Sequence, residues 1–237
     1  MLKTLRPLVL LIIVITTGGS LSAERLGEAW RDQIAQSSDL LRSGHFAESL
    51  AISSRVADDM IAHLGTGPEA AEVLAVVLTH KALASAGLRR YDDAMWYWDL
   101  AAALYPAVTR SDVSMFGDAG AYLRDHMPPA EDDSLPVFHM EGPQAVGDLV
   151  APRLLKKRFP SFPEGAHAFG LEDVTIVEVH VDQTGKVSRP HIVRRASAPS
   201  FSYVALEAMR NWRFAPGTKN RIPADMRYAV TVFYRFH

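Results

Sequence analysis

The chain has 237 residues, of which 48% are hydrophobic and 22% charged, with a formal net charge of −2 at pH 7. This length and balance are typical of one large or two modest folded domains and argue against an intrinsically disordered chain. Because the sequence contains no cysteine, disulfides, thiolate metal sites and a cysteine nucleophile are excluded.

Residues 1–23 have the pattern of an export signal. Lys3 and Arg6 give a positive start, the apolar run LVLLIIVI follows, and small residues come after that run. The run is shorter than the ~20 residues of a comfortable membrane span. The pattern favours a cleaved signal peptide, with cleavage after Ser20, Ser22 or Ala23, and leaves an uncleaved inner-membrane anchor as the alternative.

Residues 24–125 are predicted to form an α-helical domain. Apolar residues recur at spacings of three and four in LGEAWRDQIAQSSDLLRSG and again in EAAEVLAVVLTHKALASAG. Ser38 or Asp39 and Pro68 are residue types that begin helices, whereas Gly44 and Gly87 are the type that ends them.

Part of this domain is repeated. The stretch LLRSGHFAESLAISSRVADDM aligns with ALASAGLRRYDDAMWYWDLAAALYP, which places Gly44 on Gly87, 43 positions later. The second copy resembles a tetratricopeptide repeat at Gly87, Tyr91, Ala94, Trp98, Ala101 and Pro106. The first copy departs from that pattern at Ser49 and Ser53, so we predict about two repeats plus a flanking helix.

The aromatic run at positions 96–98 is not expected to form a ligand cage. Consecutive helix positions point about 100° apart, so the three rings cannot share one wall. We therefore expect Trp98 to pack in the core and Trp96 or Tyr97 to be partly exposed.

Residues 126–149 are predicted to be a linker. The stretch from 126 to 143 has four prolines, one glycine and four acids, which is typical of a semi-extended connector without folded elements. The charge also changes here, because residues 24–149 carry 9 Lys/Arg against 20 Asp/Glu and residues 150–237 carry 14 against 7. The basic half could meet an acidic partner, an anionic envelope surface or the acidic half of the same chain.

Residues 150–237 are predicted to form a small α+β domain with one helix packed on an antiparallel sheet. VTIVEVHVD and KVSRPHIVRRAS form a hairpin around QTG, and PSFSYVALEAMRNW is a helix that begins near Ser200 or Ser202. MRYAVTVFYRF alternates as a final strand. In the first strand we expect an irregular step near Val177 and an inward set of Val174, Ile176, Val179 and Val181.

These residues resemble the C-terminal domain family of TonB over about residues 150–237. The resemblance rests on RFPSFP at 158–163, on the hairpin residues Asp182, Gly185 and Val187, and on a helix signature. The residues of that signature are Ala205, Leu206, Ala208, Trp212, Phe214 and Pro216. Asp173 departs from the family, which commonly has glycine before the first strand.

The resemblance implies a non-enzymatic periplasmic binding module of a Gram-negative bacterium. In this family an exposed strand edge captures an extended segment of an outer-membrane receptor by strand addition. We take residues 227–235 as the candidate edge, and the partner as such a receptor segment or another envelope protein; a homodimer is left open. The candidate partner-binding residues are Phe162, Pro163, Arg227, Ala229, Thr231, Phe233 and Arg235.

A complete energy transducer of this family is the alternative to an adaptor. It resembles a three-part machine with a histidine-bearing membrane helix that meets ExbB and ExbD, a long proline-rich span and this domain. Residues 1–23 contain no histidine, and helical repeats stand where the stiff span would be. We therefore favour an adaptor over a transducer that is anchored by residues 1–23 and works with an ExbB–ExbD-like motor.

The sequence contains no pattern that indicates catalysis, a metal or a cofactor. The nine histidines form no HExxH pattern, and neither a G-x-S-x-G elbow nor a phosphate-binding glycine loop is present. Asp59 and His63, four positions apart on a predicted helix, indicate a surface pair. The export signal and a pI near 6.5 argue against nucleic-acid binding by the basic clusters at 156–158 and 194–195.

Overall fold

The computed structural model describes residues 21–63, 68–127, 134–168 and 170–236, and the predicted signal or anchor lies largely outside them, at 1–20. The N-terminal half is helical, as predicted. Its helices are α1 (Leu21–Arg42), α2 (Phe46–His63), α3 (Pro68–Gly87), α4 (Tyr91–Leu104) and α5 (Gly117–Asp125), with 3₁₀ turns at Pro106–Arg110 and Ser114–Phe116.

The two helix hairpins, α1–α2 and α3–α4, have the same turn, but at a spacing of 45 rather than the predicted 43. Phe46 and Tyr91 begin the second helix of each hairpin, and Gly44 and Arg89 hold the equivalent turn position with φ of 76° and 59°. Gly87 is needed for a different reason, because a Cβ there would overlap the Phe46 ring. The tetratricopeptide assignment stays a prediction.

Helix α3 is the centre of the helical half, where it packs against α2, α4 and α5. Within the described residues, Glu69–Gly87 is the one stretch long and apolar enough to cross a membrane, with a mean hydropathy of 1.2, but 67% of it is buried inside the fold. The buried imidazole of His80 contacts Ser37 Oγ at 3.1 Å, and that hydroxyl contacts Ser49 Oγ at 2.8 Å. Trp98 is buried in the same core, as predicted.

In the described part of the C-terminal half there are ten short or medium strands and two helices. Its elements are β1 (Val137–His139), β2 (Ala145–Val146), β3 (Leu149–Val150), β4 (Arg153–Lys156), α6 (Glu164–Ala168), β5 (Asp173–Val181), β6 (Val187–Arg194), α7 (Pro199–Arg210), β7 (Arg213–Ala215), β8 (Thr218–Lys219), β9 (Ile222–Pro223) and β10 (Met226–Tyr234). The main sheet has the order β1-β10-β5-β6. The remaining strands form two smaller sheets, with the orders β2-β3-β8-β9 and β4-β7.

Helix α7 and the main sheet form the core that the sequence predicted for this half. Phe201, Ala205, Ala208 and Trp212, which recur at helical spacing, are all buried. Trp212 also donates from Nε1 to the carbonyl of Arg158 at 2.8 Å. Strand β5 buries Thr175, Val177, Val179 and Val181, so the predicted inward set is wrong at Val174 and Ile176. The predicted irregular step is confirmed, because the pairing of β5 with β6 shifts register between Ile176 and Val177. Asp173 accepts hydrogen bonds from the N–H groups of Val174 and Ser197 and so fixes the start of β5.

The predicted linker is partly folded, which differs from the expectation of a connector without folded elements. Val137–His139 form β1, which pairs in parallel with Arg227–Ala229 of β10. Further along, β2 and the start of β3 also lie within residues 126–149. The sequence did not reveal β1 because a three-residue strand has too few positions to show an alternating pattern. The strand forms by pairing with residues of β10 that lie ninety positions later.

The acidic and basic halves pack against each other. Trp96 Nε1 donates to Glu207 Oε1 at 2.7 Å, and the Arg210 guanidinium pairs with Asp93. Arg195 donates to two carbonyls at the C-terminus of α4 at 2.6 and 2.9 Å, where the helix dipole is negative. These contacts bury Trp96 and leave Tyr97 half-buried, and they show that the acidic half of the same chain meets the basic half.

Candidate strand-binding edge

Strand β10 has two sides, and one of them is fully used by β5. The two strands pair without a break from Met226 opposite Val181 to Tyr234 opposite Asp173. On the other side, Arg227 N–H donates to the carbonyl of Pro136 at 2.9 Å, and the carbonyl of Ala229 accepts from Met140 N–H at 3.0 Å. Because main-chain groups alternate between the two sides of a strand, the odd-numbered residues of β10 face this second side.

The second side is covered only at its beginning. After His139 the chain turns away from β10, with Gly142 N–H bonded to the carbonyl of His139 at 3.0 Å. Among the described residues, no strand pairs with Val230–Tyr234 on this side. The N–H and C=O groups of Thr231 and Phe233 therefore form a short open edge.

An exposed aromatic and a cation lie on one face of this open edge. The Phe233 side chain is 58% exposed, and the guanidinium of Arg235 lies 4.9 Å from its ring centroid. This arrangement offers an apolar contact together with a positive charge to a segment placed along the edge.

An aromatic cluster lies at the other face of the same strand end. The ring of Phe162 is 5.6 Å from that of Tyr234 and 5.1 Å from that of Phe236, measured between centroids. The Tyr234 hydroxyl donates to the carbonyl of Phe201 at 3.0 Å, and burial raises the pKa of this phenol well above its usual range. The cluster thus combines a fixed buried part with an exposed part at Phe236.

The structure brings together four of the seven candidate residues and separates three. Phe162, Thr231, Phe233 and Arg235 surround the open end of β10. Pro163 is buried ahead of α6. Ala229 is 1% exposed and Arg227 is half-buried, with its guanidinium 3.3 Å from Glu178, and β1 covers the main chain of both.

One further residue of the site was not predicted from the sequence. Phe236 completes the aromatic cluster with Phe162 and also lies 5.3 Å from the ring of His167. The alternation of the last strand was the only signal for it, because Phe236 follows Tyr228, Val232 and Tyr234 in the same register.

Ionisable groups elsewhere in the chain do not assemble into a metal site within the described residues. His63 Nδ1 and Asp59 Oδ1 are 3.3 Å apart on the exposed side of α2, which agrees with the predicted surface pair. Burial raises the pKa of the Asp99 carboxyl on α4 from 3.8 to about 7. It lies where α4 packs against β6, away from the open edge.

Comparisons with known proteins find similarities to the C-terminal half of the chain. Residues 159–236 match the family described as Gram-negative bacterial TonB protein C-terminal. A protein named TonB from Yersinia enterocolitica is 30% identical over 90 residues, which cover 38% of this chain and 33% of that protein. The chain thus spans about a third of the length of this curated relative.

A solved structure is also similar to part of the chain. It is the solution NMR structure of the Pseudomonas aeruginosa TonB C-terminal domain, which is 20% identical. The similarity covers 42% of this chain and 94% of that chain, with a TM-score of 0.33. The resemblance seen in the sequence is confirmed over residues 159–236, which match the TonB C-terminal family.

Proposed function

We propose that this protein is a non-enzymatic, periplasmic adaptor that binds an extended segment of another envelope protein by strand addition to β10. The observation that supports the proposal most directly is the open edge at Thr231 and Phe233, flanked by aromatic side chains on both faces. A chain that pairs there continues the main sheet by one strand.

Recognition at this edge divides into two parts. Main-chain hydrogen bonds to Thr231 and Phe233 supply affinity for any extended segment, independent of its sequence. Selectivity comes from alternate side chains of the partner, which meet Phe233 and Arg235 on one face and Phe162 and Phe236 on the other. We expect a partner with apolar residues on both faces and an acidic residue near Arg235.

The partner class follows from the similarity of residues 159–236 to the TonB C-terminal family. An outer-membrane receptor segment is the first candidate, and another envelope protein is the second. The helical half gives the adaptor a second surface, because it is held against the C-terminal half by Arg210–Asp93 and Trp96–Glu207, and α1 exposes charged side chains such as Glu28 and Arg31.

A second candidate function is energy transduction with an ExbB–ExbD-like motor, anchored by residues 1–23. The similarity to a protein named TonB favours it. Against it, the described helices pack directly on the C-terminal half, whereas transmission of a pull across the envelope needs a long, stiff span. The N-terminal residue of the mature protein separates the two functions, since a cleaved protein cannot pull from the inner membrane.

The test of strand addition is crosslinked pull-down from the periplasm with two matched variants. Thr231→Pro removes the N–H that faces the open edge, and proline is tolerated there because that N–H does not bond to β5. Thr231→Val keeps the N–H and the branched shape. We expect the valine variant to retain the envelope partner and the proline variant to lose it; equal recovery by both variants would show that the edge is not the binding site.

A further inference from the structure

Strand β1 has the geometry of a bound partner segment. Val137–His139 run parallel to Arg227–Ala229, and the flanking bonds from Arg227 N–H to Pro136 and from Met140 N–H to Ala229 extend the pairing at both ends. A parallel neighbour cannot come from a tight hairpin, so this strand reaches the edge by a long connection, as a segment of another chain would.

The side chain at the centre of β1 is the anchor of this contact. Phe138 is the register partner of Tyr228 and is 4% exposed, whereas His139 points to the solvent. On the same face, Tyr228 packs edge-on against Phe214 with centroids 4.9 Å apart. The sheet therefore offers an apolar site beside Tyr228 that accepts one large side chain from a strand at the edge.

We infer that Val137–His139 is an internal occupant of the strand-binding edge, and that the partner is an extended segment that runs parallel to β10 and puts a large apolar side chain in the place of Phe138. This inference rests on the proposed function. It adds that the edge is larger than its open part, since the full site extends from Arg227 to Phe233.

The lengths of the two competitors explain how a partner displaces β1. Strand β1 pairs over three residues and then turns away at Gly142, so it leaves Thr231 and Phe233 unused. A partner that pairs from Arg227 to Phe233 satisfies the same groups as β1 and those two residues as well. Against this gain, β1 has the advantage of being tethered, because only residues 140–144 separate it from β2 of the folded domain. A tether this short is equivalent to a local concentration of roughly millimolar.

The test uses the full chain with a reversible lock on β1. His139 and Ala229 are register partners, and residues paired on adjacent strands lie about 5 Å apart, within the span of a disulfide. The chain has no cysteine of its own, so the double variant His139→Cys, Ala229→Cys contains only the designed pair. Oxidation fixes β1 on the edge and reduction releases it within one and the same protein.

The probe is a labelled peptide with the sequence of residues 134–142, SLPVFHMEG, whose binding is followed by fluorescence anisotropy. We expect the reduced protein to bind it and the oxidised protein to bind it at least about tenfold more weakly, because occupancy by a tethered competitor lowers apparent affinity in proportion. Phe138→Ala in the chain should strengthen binding, and the same change in the peptide should weaken it. The cysteine-free parent, with and without reductant, is the control.

The outcomes separate this inference from the proposed function. Equal binding by the oxidised and reduced forms, together with loss of binding in Thr231→Pro, overturns the inference but leaves strand addition in place at the open edge. Two outcomes overturn both the inference and the proposed function. One is absence of binding in every form, and the other is binding that neither oxidation nor Thr231→Pro weakens. Thermal unfolding of the oxidised and reduced forms confirms that each is folded before binding is compared.

Discussion

Replacement of Asp99 by asparagine should remove a pH dependence from the stability of the protein. Asp99 lies on α4, is 8% exposed, and its Oδ1 has no hydrogen-bond partner among the described residues. Burial raises the pKa of the carboxyl from 3.8 to about 7, even though the nearby charge of Arg189 acts to lower it. In the folded protein the group therefore keeps its proton up to near neutral pH.

The direction and size of this pH dependence follow from the linkage between protonation and folding. A pKa that is raised in the folded state gives stability that is present below pH 3.8 and lost as the pH rises through about 7, because the unfolded chain releases this proton first. A shift of about three units corresponds to roughly 4 kcal/mol across that window. Asparagine has nearly the same shape and cannot ionise, so the variant should gain stability relative to the parent as the pH rises.

The assay is urea unfolding of parent and variant at several pH values through this window. His80 contributes in the opposite direction, because burial lowers its pKa from 6.5 to about 4, so its stabilising effect is lost as the pH falls through about 4. That contribution is common to both proteins and cancels in the difference between their free energies of unfolding. A difference that does not change with pH would refute the assignment of a buried, protonated carboxyl to position 99.

Three further experiments with substitutions test the packing. Gly185→Ala should cost more than about 2 kcal/mol in urea unfolding, because φ is +80° and a Cβ would overlap the main-chain carbonyl at the centre of β7; a loss near zero would contradict this. Gly87→Ala should cost about 1–3 kcal/mol through the Phe46 ring, and adding Phe46→Leu should restore part of it. A double-mutant cycle with Asp93→Asn and Arg210→Met should give a coupling of about 1 kcal/mol between the two halves, and simple additivity would argue against their ion pair.

The parts of the fold that could be predicted are those in which local pattern and tertiary structure agree. Helix α7 buries Phe201, Ala205 and Ala208, which recur at helical spacing, and Trp212 follows them into the core. The hairpin of β5 and β6 is bounded by Asp182 and Gly185, whose turn chemistry is visible in the sequence. In both, a short window contains the whole signal.

The parts that could not be predicted depend on distant residues. The open edge was expected along the whole of 227–235, but β1 covers its first part, and no local pattern marks three residues as a strand. The repeat was aligned on glycines, yet Arg89 adopts the left-handed turn that Gly44 adopts, so the shared turn does not require the shared residue type. Phe236 belongs to the site because the fold brings Phe162 to it, which spacing alone does not reveal.

The small size of the open edge limits how the protein can bind. Thr231 and Phe233 offer one donor and one acceptor each, and a main-chain hydrogen bond contributes a net of about 0.5–1.5 kcal/mol. Four such bonds contribute about 2–6 kcal/mol, which only balances the about 2–5 kcal/mol or more that is lost when a flexible partner segment becomes ordered. Nothing is then left for the translational and rotational freedom that is lost on association. Binding therefore needs either the aromatic contacts at Phe162 and Phe233 or the longer pairing that becomes available when β1 leaves. The same limit protects the free protein, since an edge this short, with Arg235 at its end, is a poor template for aggregation.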